Sequence, residues 1–201
     1  RRRAADLLRS PPLRAAVVAI GVAQASMVAV MGVTPVVIDE HGGGDLAVAT
    51  TISFHVAGMF AFSPLIGAAL DRWGRKPGLV AGALVSAGGA ILASVTDNTT
   101  VIATGVFLVG LGWSGAFLAS TTMISDLTTA EERAGALGFT DLLASLAAVA
   151  GALAAGFLLE GVGFWVVGVS MAALLVPVLA LVLPLRESSP GRWGTGAAAA
   201  A

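Results

Sequence analysis

An all-helical integral membrane protein of six spans is the architecture this sequence predicts, and three observations predict it. Of its 201 residues, 57% are hydrophobic and 11% charged, with a mean hydropathy of +0.92; soluble domains carry about 25% charged residues. Six apolar stretches come close to or exceed the roughly 20 residues a helix needs to cross a bilayer core. All 11 Lys and Arg fall on one side of the membrane when those stretches alternate in direction. No run shows the two-residue period of a strand.

The first span covers about Leu13–Ile38, behind the basic opening "RRRAADLLRSPPLR". Residues 1–12 read as a cytoplasmic linker. They are too basic and too long for the start of a signal peptide, and no A-x-A site follows. With Arg at position 1, the chain reads as a piece of a longer one. The second span, Ala49–Leu70, follows "DEHGGGDLAV"; the third, Gly78–Thr96, follows "DRWGRKP". The fourth, Val101–Ile124, follows "TDNTT"; the fifth, Leu137–Leu159, follows "SDLTTAEERAGA"; the sixth, Phe164–Leu185, follows "EGVG". Connections this short make neighbouring spans antiparallel. Residues 186–201 have the composition of a disordered cytoplasmic tail.

Orientation follows from the cations. Arg1, Arg2, Arg3, Arg9, Arg14, Arg72, Arg75, Lys76, Arg133, Arg186 and Arg192 share a side, while the other loops hold Asp39, Glu40, Asp45, Asp97 and Glu160. Excess Lys and Arg mark the cytoplasmic side, so both ends lie in the cytoplasm of a multi-pass inner-membrane protein. The chain has no cysteine, which excludes disulfides and thiol chemistry. Pro35, Pro64 and Pro177 are expected to break or bend spans. Gly78/Gly82, Gly112/Ala116, Gly115/Ala119 and Gly151/Ala155 have the spacing that lets helices pack backbone to backbone in lipid.

Two turns echo each other. "GAALDRWG" from Gly67 and "GFLLEGVG" from Gly156 both read G-x-x-L-acid-x-x-G, 89 residues apart. They close the second and fifth spans, on opposite faces of the membrane. That placement predicts an inverted 3+3 repeat, a common construction of secondary transporters.

The first of these turns concentrates charge. Arg72, Arg75 and Lys76 suit the negative end of a helix dipole, Gly74 suits a left-handed cap, and Pro77 suits the first turn of the next helix. Asp71 does not fit: its own helix repels it there. It needs a cation, with Arg72, Arg75 and Arg133 as candidates, or another helix's N-terminus. Span five offers one such N-terminus, with an N-cap Thr and acids in its first turn.

"GAALDRWGRKPGL" resembles motif A of the major facilitator superfamily, G-x-L-(A/S)-D-R-x-G-R-(K/R)-x-x-L, at Gly67, Asp71, Arg72, Gly74, Arg75, Lys76 and Leu79; Ala69-Leu70 departs from it. "SDLTTAEERAGALG" is similar to that family's loop after the fourth span, without its frequent Pro. The resemblance implies half of a major-facilitator-type fold, and the basic opening with "AVMGVTPVVIDEHG" and "FHVAGMFAFSPLIG" resembles the C-terminal half of bacterial members. It further implies that Asp71 meets the fifth helix of a missing N-terminal six-helix half, so that the turn is a gate latch whose partner lies outside this chain.

Inside the membrane, ionisable groups are functional candidates. His55 lies about 9 Å below the outer end of span two at 1.5 Å per residue; it reads either as a substrate or proton site or as an interhelical hydrogen bond. Asp141, near the cytoplasmic end of span five, reads as a gate partner alongside Arg133, paired with Arg75 or Arg133. Gln24 is the better pore-lining candidate on span one. Trp113 has an indole N–H that wants a partner, and lines either a cavity or the packed core.

Other classes lack their signatures. There is no H-E-x-x-H cluster, no G-x-S-x-G and no P-loop. An intramembrane enzyme and a non-transporting six-helix subunit remain the alternatives. The reading is a secondary transporter of a small molecule, coupled to protons, with efflux favoured over uptake, and with no cofactor, metal or nucleic acid implied.

Overall fold

A computed structural model describes residues 8–193. The order is α1 Pro11–Glu40, α2 Gly44–Phe60, α3 Ser63–Trp73, α4 Arg75–Ser94, α5 Thr99–Leu127, α6 Ala130–Gly161, α7 Phe164–Ala173 and α8 Leu175–Val182, then strands β1 Glu187–Ser189 and β2 Arg192–Trp193. The pairs α2–α3 and α7–α8 each run on as one rod, so the described residues hold 6 helices long and apolar enough to cross a membrane.

Both interruptions sit just ahead of a proline. Pro64 falls in the first turn of α3 and Pro177 in the first turn of α8, where the backbone N–H has no partner within the helix. The linking residues Ala61, Phe62 and Leu174 keep right-handed helical dihedrals, so the rods continue. Pro35 differs from expectation: it is carried inside an unbroken α1. That helix is packed on several sides, and its neighbours hold the rod past the lost hydrogen bond. The helices also outrun the apolar stretches. α6 starts at Ala130, seven residues before the expected span, because Thr129 and Glu132 form a capping box.

α1 and α5 form the inside of the bundle. Of their most apolar windows, 61% and 56% are buried, against 17% for both α2–α3 and α6. Val30, Val33, Val37 and Ile38 of α1 meet Val106 and Val109 of α5 and Val167 and Met171 of α7 in the main core. Small residues set the distances. A Cβ added at Gly82 of α4 would lie 2.5 Å from the Ala116 nitrogen, and one at Gly89 2.6 Å from the Gly105 carbonyl. Likewise Gly151 of α6 lies against the Ala25 carbonyl of α1, at 2.6 Å from such a Cβ. Three of the small-residue pairs read from the sequence thus supply backbone contacts; Gly78 instead faces the Leu70 side chain.

The spans alternate, so the molecule has two chemically different ends. Arg9, Arg14, Arg72, Arg75, Lys76, Arg133, Arg186 and Arg192 gather at one, the basic end. Asp39, Glu40, Asp45, Asp97 and Glu160 occupy the other, with no Lys or Arg among the described residues. Beyond α8, residues 187–193 of the stretch expected to be a disordered tail form a small antiparallel hairpin, with Glu187 paired to Trp193. Specific anchors hold it: Trp193 packs against the buried cluster that includes Leu13, Met123 and Ile124, and the Glu187 carboxylate is fixed by backbone donors. Composition does not register such anchors. Arg1–Arg3 and residues 194–201 lie outside the described residues.

Candidate functional site

α3 and α4 meet at Gly74, with φ 103° and ψ 165°. This is the extended, positive-φ region that is essentially restricted to glycine, rather than the left-handed cap expected from sequence. The difference moves α4 forward. Arg75 and Lys76 become its first two residues, so two cations stand at a positive helix end.

Acids resolve that conflict. The Glu187 carboxylate accepts the Arg75 and Lys76 backbone N–H groups, each at 2.8 Å, and the Gly191 N–H at 3.1 Å. It serves as the N-cap of α4, supplied from 112 residues away. The Arg75 side chain turns inward, 11% exposed, with Nε donating to Asp126 Oδ2 at 2.9 Å. Its Nη1 donates to the Leu70 carbonyl at 3.0 Å and to Asp71 Oδ1 at 3.3 Å. Lys76 Nζ donates to the Leu183 and Leu185 carbonyls at 2.7 Å each, just past the C-terminal end of α8, where a cation is favoured. One turn thereby ties α3, α4, α5 and the C-terminal hairpin together.

Of the cations offered to Asp71 by the sequence, Arg75 is the one it meets, four residues along its own path. The contact is long and Asp71 is 76% exposed, so it holds weakly, about 0–1 kcal/mol. One expectation about this turn is corrected, that for Asp141, which meets neither Arg75 nor Arg133. Arg75 is taken by Asp126, and Arg133 Nη2 donates to the Ser125 carbonyl at 3.0 Å. Asp141 lies on the exposed side of α6, because the helix turns that position away from α5. Arg72 is exposed, and a Cβ added at Gly67 would meet nothing within 4 Å. Gly67 and Asp71, four residues apart, share a face of α3.

Midway along the bundle, Gln24 and Trp113 come together. The indole Nε1 donates to Gln24 Oε1 at 2.7 Å. Trp113 stacks on Phe117 with ring centroids 4.8 Å apart and takes Phe60 edge-on at 6.4 Å. His55 is not part of this group. Its Nδ1 donates to the Val106 carbonyl at 2.8 Å across α2 and α5, and the ring is buried against Gly110. Its Nε2 has no hydrogen-bond partner among the described residues. The geometry is that of an interhelical tie.

The Major Facilitator Superfamily sequence model matches residues 16–199. The chain belongs to the major facilitator superfamily. It is 33% identical over 162 residues to YddS, an uncharacterized MFS-type transporter of Bacillus subtilis, covering 78% of this chain and 37% of that protein. It is 30% identical over 183 residues to the riboflavin transporter RfnT of Brucella anthropi, covering 89% of this chain and 46% of that protein. Against the multidrug resistance protein MdtL of Escherichia coli the identity is 29% over 142 residues, covering 69% and 36%. The chain thus spans less than half the length of these relatives. Its six apolar helices and its family make it a multi-pass membrane protein.

Within this superfamily member, sequence reasoning named the motif cations but missed Asp126 and Glu187, the two acids that hold them. Asp126 was readable only as a loop acid until α4 and α5 are paired antiparallel, which brings position 126 beside position 75. Glu187 carried no signal, because its partners are backbone groups.

Proposed function

We propose that this chain is one six-helix half of a secondary active transporter that moves a small molecule across the cell membrane by alternating access. The observation that carries the proposal is the Gly74 turn: a half-buried Arg75–Asp126 pair with an exposed Asp71 on the adjoining face of α3. In this reading Arg75–Asp126 braces the turn, and Asp71 with Gly67 forms the surface where a helix of the other half docks and leaves. Glycine at position 67, unneeded within the chain, admits that close approach.

The uncovered faces support a second half. Phe54, Phe60 and Leu65 of α2–α3 and Leu142, Leu146, Leu153 and Phe157 of α6 are exposed. Apolar faces of this kind suit either lipid or a second half, and relatives of which the chain matches less than half have the length for one. The shared backbone of Gly74 (φ 103°, ψ 165°) and Gly163 (φ 115°, ψ 173°) supports the inverted repeat. Positive-inside sorting supports a cytoplasmic basic end with both ends of the chain there.

Gln24, Trp113, Phe60 and Phe117 make the substrate-facing group in this proposal, offering amide donors and aromatic faces to a neutral aromatic solute. Names among the relatives, riboflavin and multidrug, agree with such a solute. Coupling is to protons and the direction is efflux. The test is the full-length protein in proteoliposomes, with riboflavin as the probe under an imposed pH gradient. Flux that follows the gradient and is lost in Asp71→Asn is the expected result. Flux that ignores the gradient and survives Asp71→Asn overturns the proposal.

A further inference from the structure

At the acidic end, His41 is the first residue beyond α1. Both of its ring nitrogens face acceptors. Nδ1 lies 2.6 Å from the Val37 carbonyl oxygen, and Nε2 lies 3.1 Å from Asp97 Oδ1 in the connection between α4 and α5. A carbonyl oxygen only accepts, and so does the carboxylate of an exposed aspartate near neutral pH. Neutral imidazole has a single N–H and satisfies one of the two contacts while turning a lone pair on the other. Only the imidazolium satisfies both.

From this geometry we infer that His41 is a proton-binding site that fastens the end of the first span to the α4–α5 connection. With the proton bound, the ring bridges Val37 and Asp97. Without it, the ring keeps only one of the two contacts and loses its charge, so the link between α1 and that connection weakens.

The surroundings favour the bound proton. The ring sits at the negative end of the α1 dipole. A cavity of about 830 Å³ is lined by His41 together with Glu40 of α1, Asp97, and Glu160 at the end of α6, and no Lys or Arg lines it among the described residues. Asp39 on α1 and Asp45 in the first turn of α2 add further acids at this end. The Val37 carbonyl does most to raise the His41 pKa above its ordinary value; burial, next in size, opposes it, and the charge and hydrogen bond of Asp97 and the charge of Glu40 add to the rise. A raised histidine pKa fixes the sign: the bridge is complete below pH ~6.5 and is lost as pH rises through the value in the folded protein.

This inference stands on the acidic end alone and does not depend on the transport reading. Histidine is rare enough to make it testable directly, since the chain has 2. In the full-length protein labelled with ¹⁵N-histidine in nanodiscs, the His41 signals are assigned by their loss in His41→Gln and followed from about pH 5 to 9. The expected result is a doubly protonated ring with a midpoint above ~6.5 that falls by roughly half a unit in Asp97→Asn. At fixed pH 6, amide hydrogen exchange over 95–98 is expected to speed up in both variants. A midpoint at or below 6.5, a midpoint unmoved by Asp97→Asn, or unchanged exchange over 95–98 overturns the inference.

Discussion

Gly74 and Gly163 start their helices with nearly the same backbone, φ 103° and ψ 165° against φ 115° and ψ 173°, and they lie 89 residues apart in matching sequence. Their surroundings are opposites. A Cβ on Gly74 would lie 2.7 Å from the Glu187 carboxylate, amid Arg75, Lys76 and Asp126. A Cβ on Gly163 would meet only the Trp165 ring, at 3.8 Å. Where the first turn has Arg75 and Lys76, the second has Phe164 and Trp165. The glycine turn is therefore architecture, a way of joining two antiparallel spans with no spare residues. The charges are an addition to one copy of it, and function is sought in what only that copy carries.

Five substitutions break or sharpen this contrast. The largest effect on stability among the charged residues is expected from Arg75→Gln, which leaves the partly exposed Asp126 without its cation and the Leu70 carbonyl without its donor. The loss is about 1–3 kcal/mol, between the values for an exposed and a fully buried pair, because Arg75 is buried and Asp126 is partly exposed. Thermal unfolding in detergent measures it, with Phe164→Ala at the equivalent position as the reference lacking any ion pair. Next, Gly74→Ala and Gly163→Ala share the strain of positive φ, about 1–2 kcal/mol. Gly74→Ala also displaces the Glu187 carboxylate and is expected to cost about 1 kcal/mol more. Equal losses at the two sites would contradict the contrast.

Glu187→Gln is expected to cost about 0.5–1.5 kcal/mol by weakening the α4 cap, and to make the 187–193 hairpin more sensitive to limited proteolysis. The smallest effect on stability is expected from Asp71→Asn, about 0–1 kcal/mol for an exposed, long ion pair. The same variant is expected to reduce transport by roughly tenfold or more. That separation of stability from activity distinguishes a docking residue from a packing one.

The spans were legible because an apolar run of bilayer length leaves a helix few alternatives. The Gly74 turn was legible because its residues are contiguous. Glu187 and Asp126 were not, since they reach the turn only after α5 and the hairpin are in place. Asp141 was misjudged for a related reason: distance along the helix put it near the cations, but its rotation around α6 points it elsewhere. The Gln24–Trp113 bond joined two residues considered separately, and it became visible only when α1 and α5 were brought side by side. His41 was counted among loop residues, and its two acceptors come from two different elements.

The account rests most heavily on Arg75 and Asp126 acting as one unit in transport. A double-mutant cycle with Arg75→Gln, Asp126→Asn and the combined variant, read as initial flux in proteoliposomes of the full-length protein, tests this directly. If the pair is one unit, each single variant lowers flux by roughly tenfold or more and the double is no slower than the slower single. Losses that simply multiply would mean the two residues act independently, and the braced gate turn would have to be abandoned.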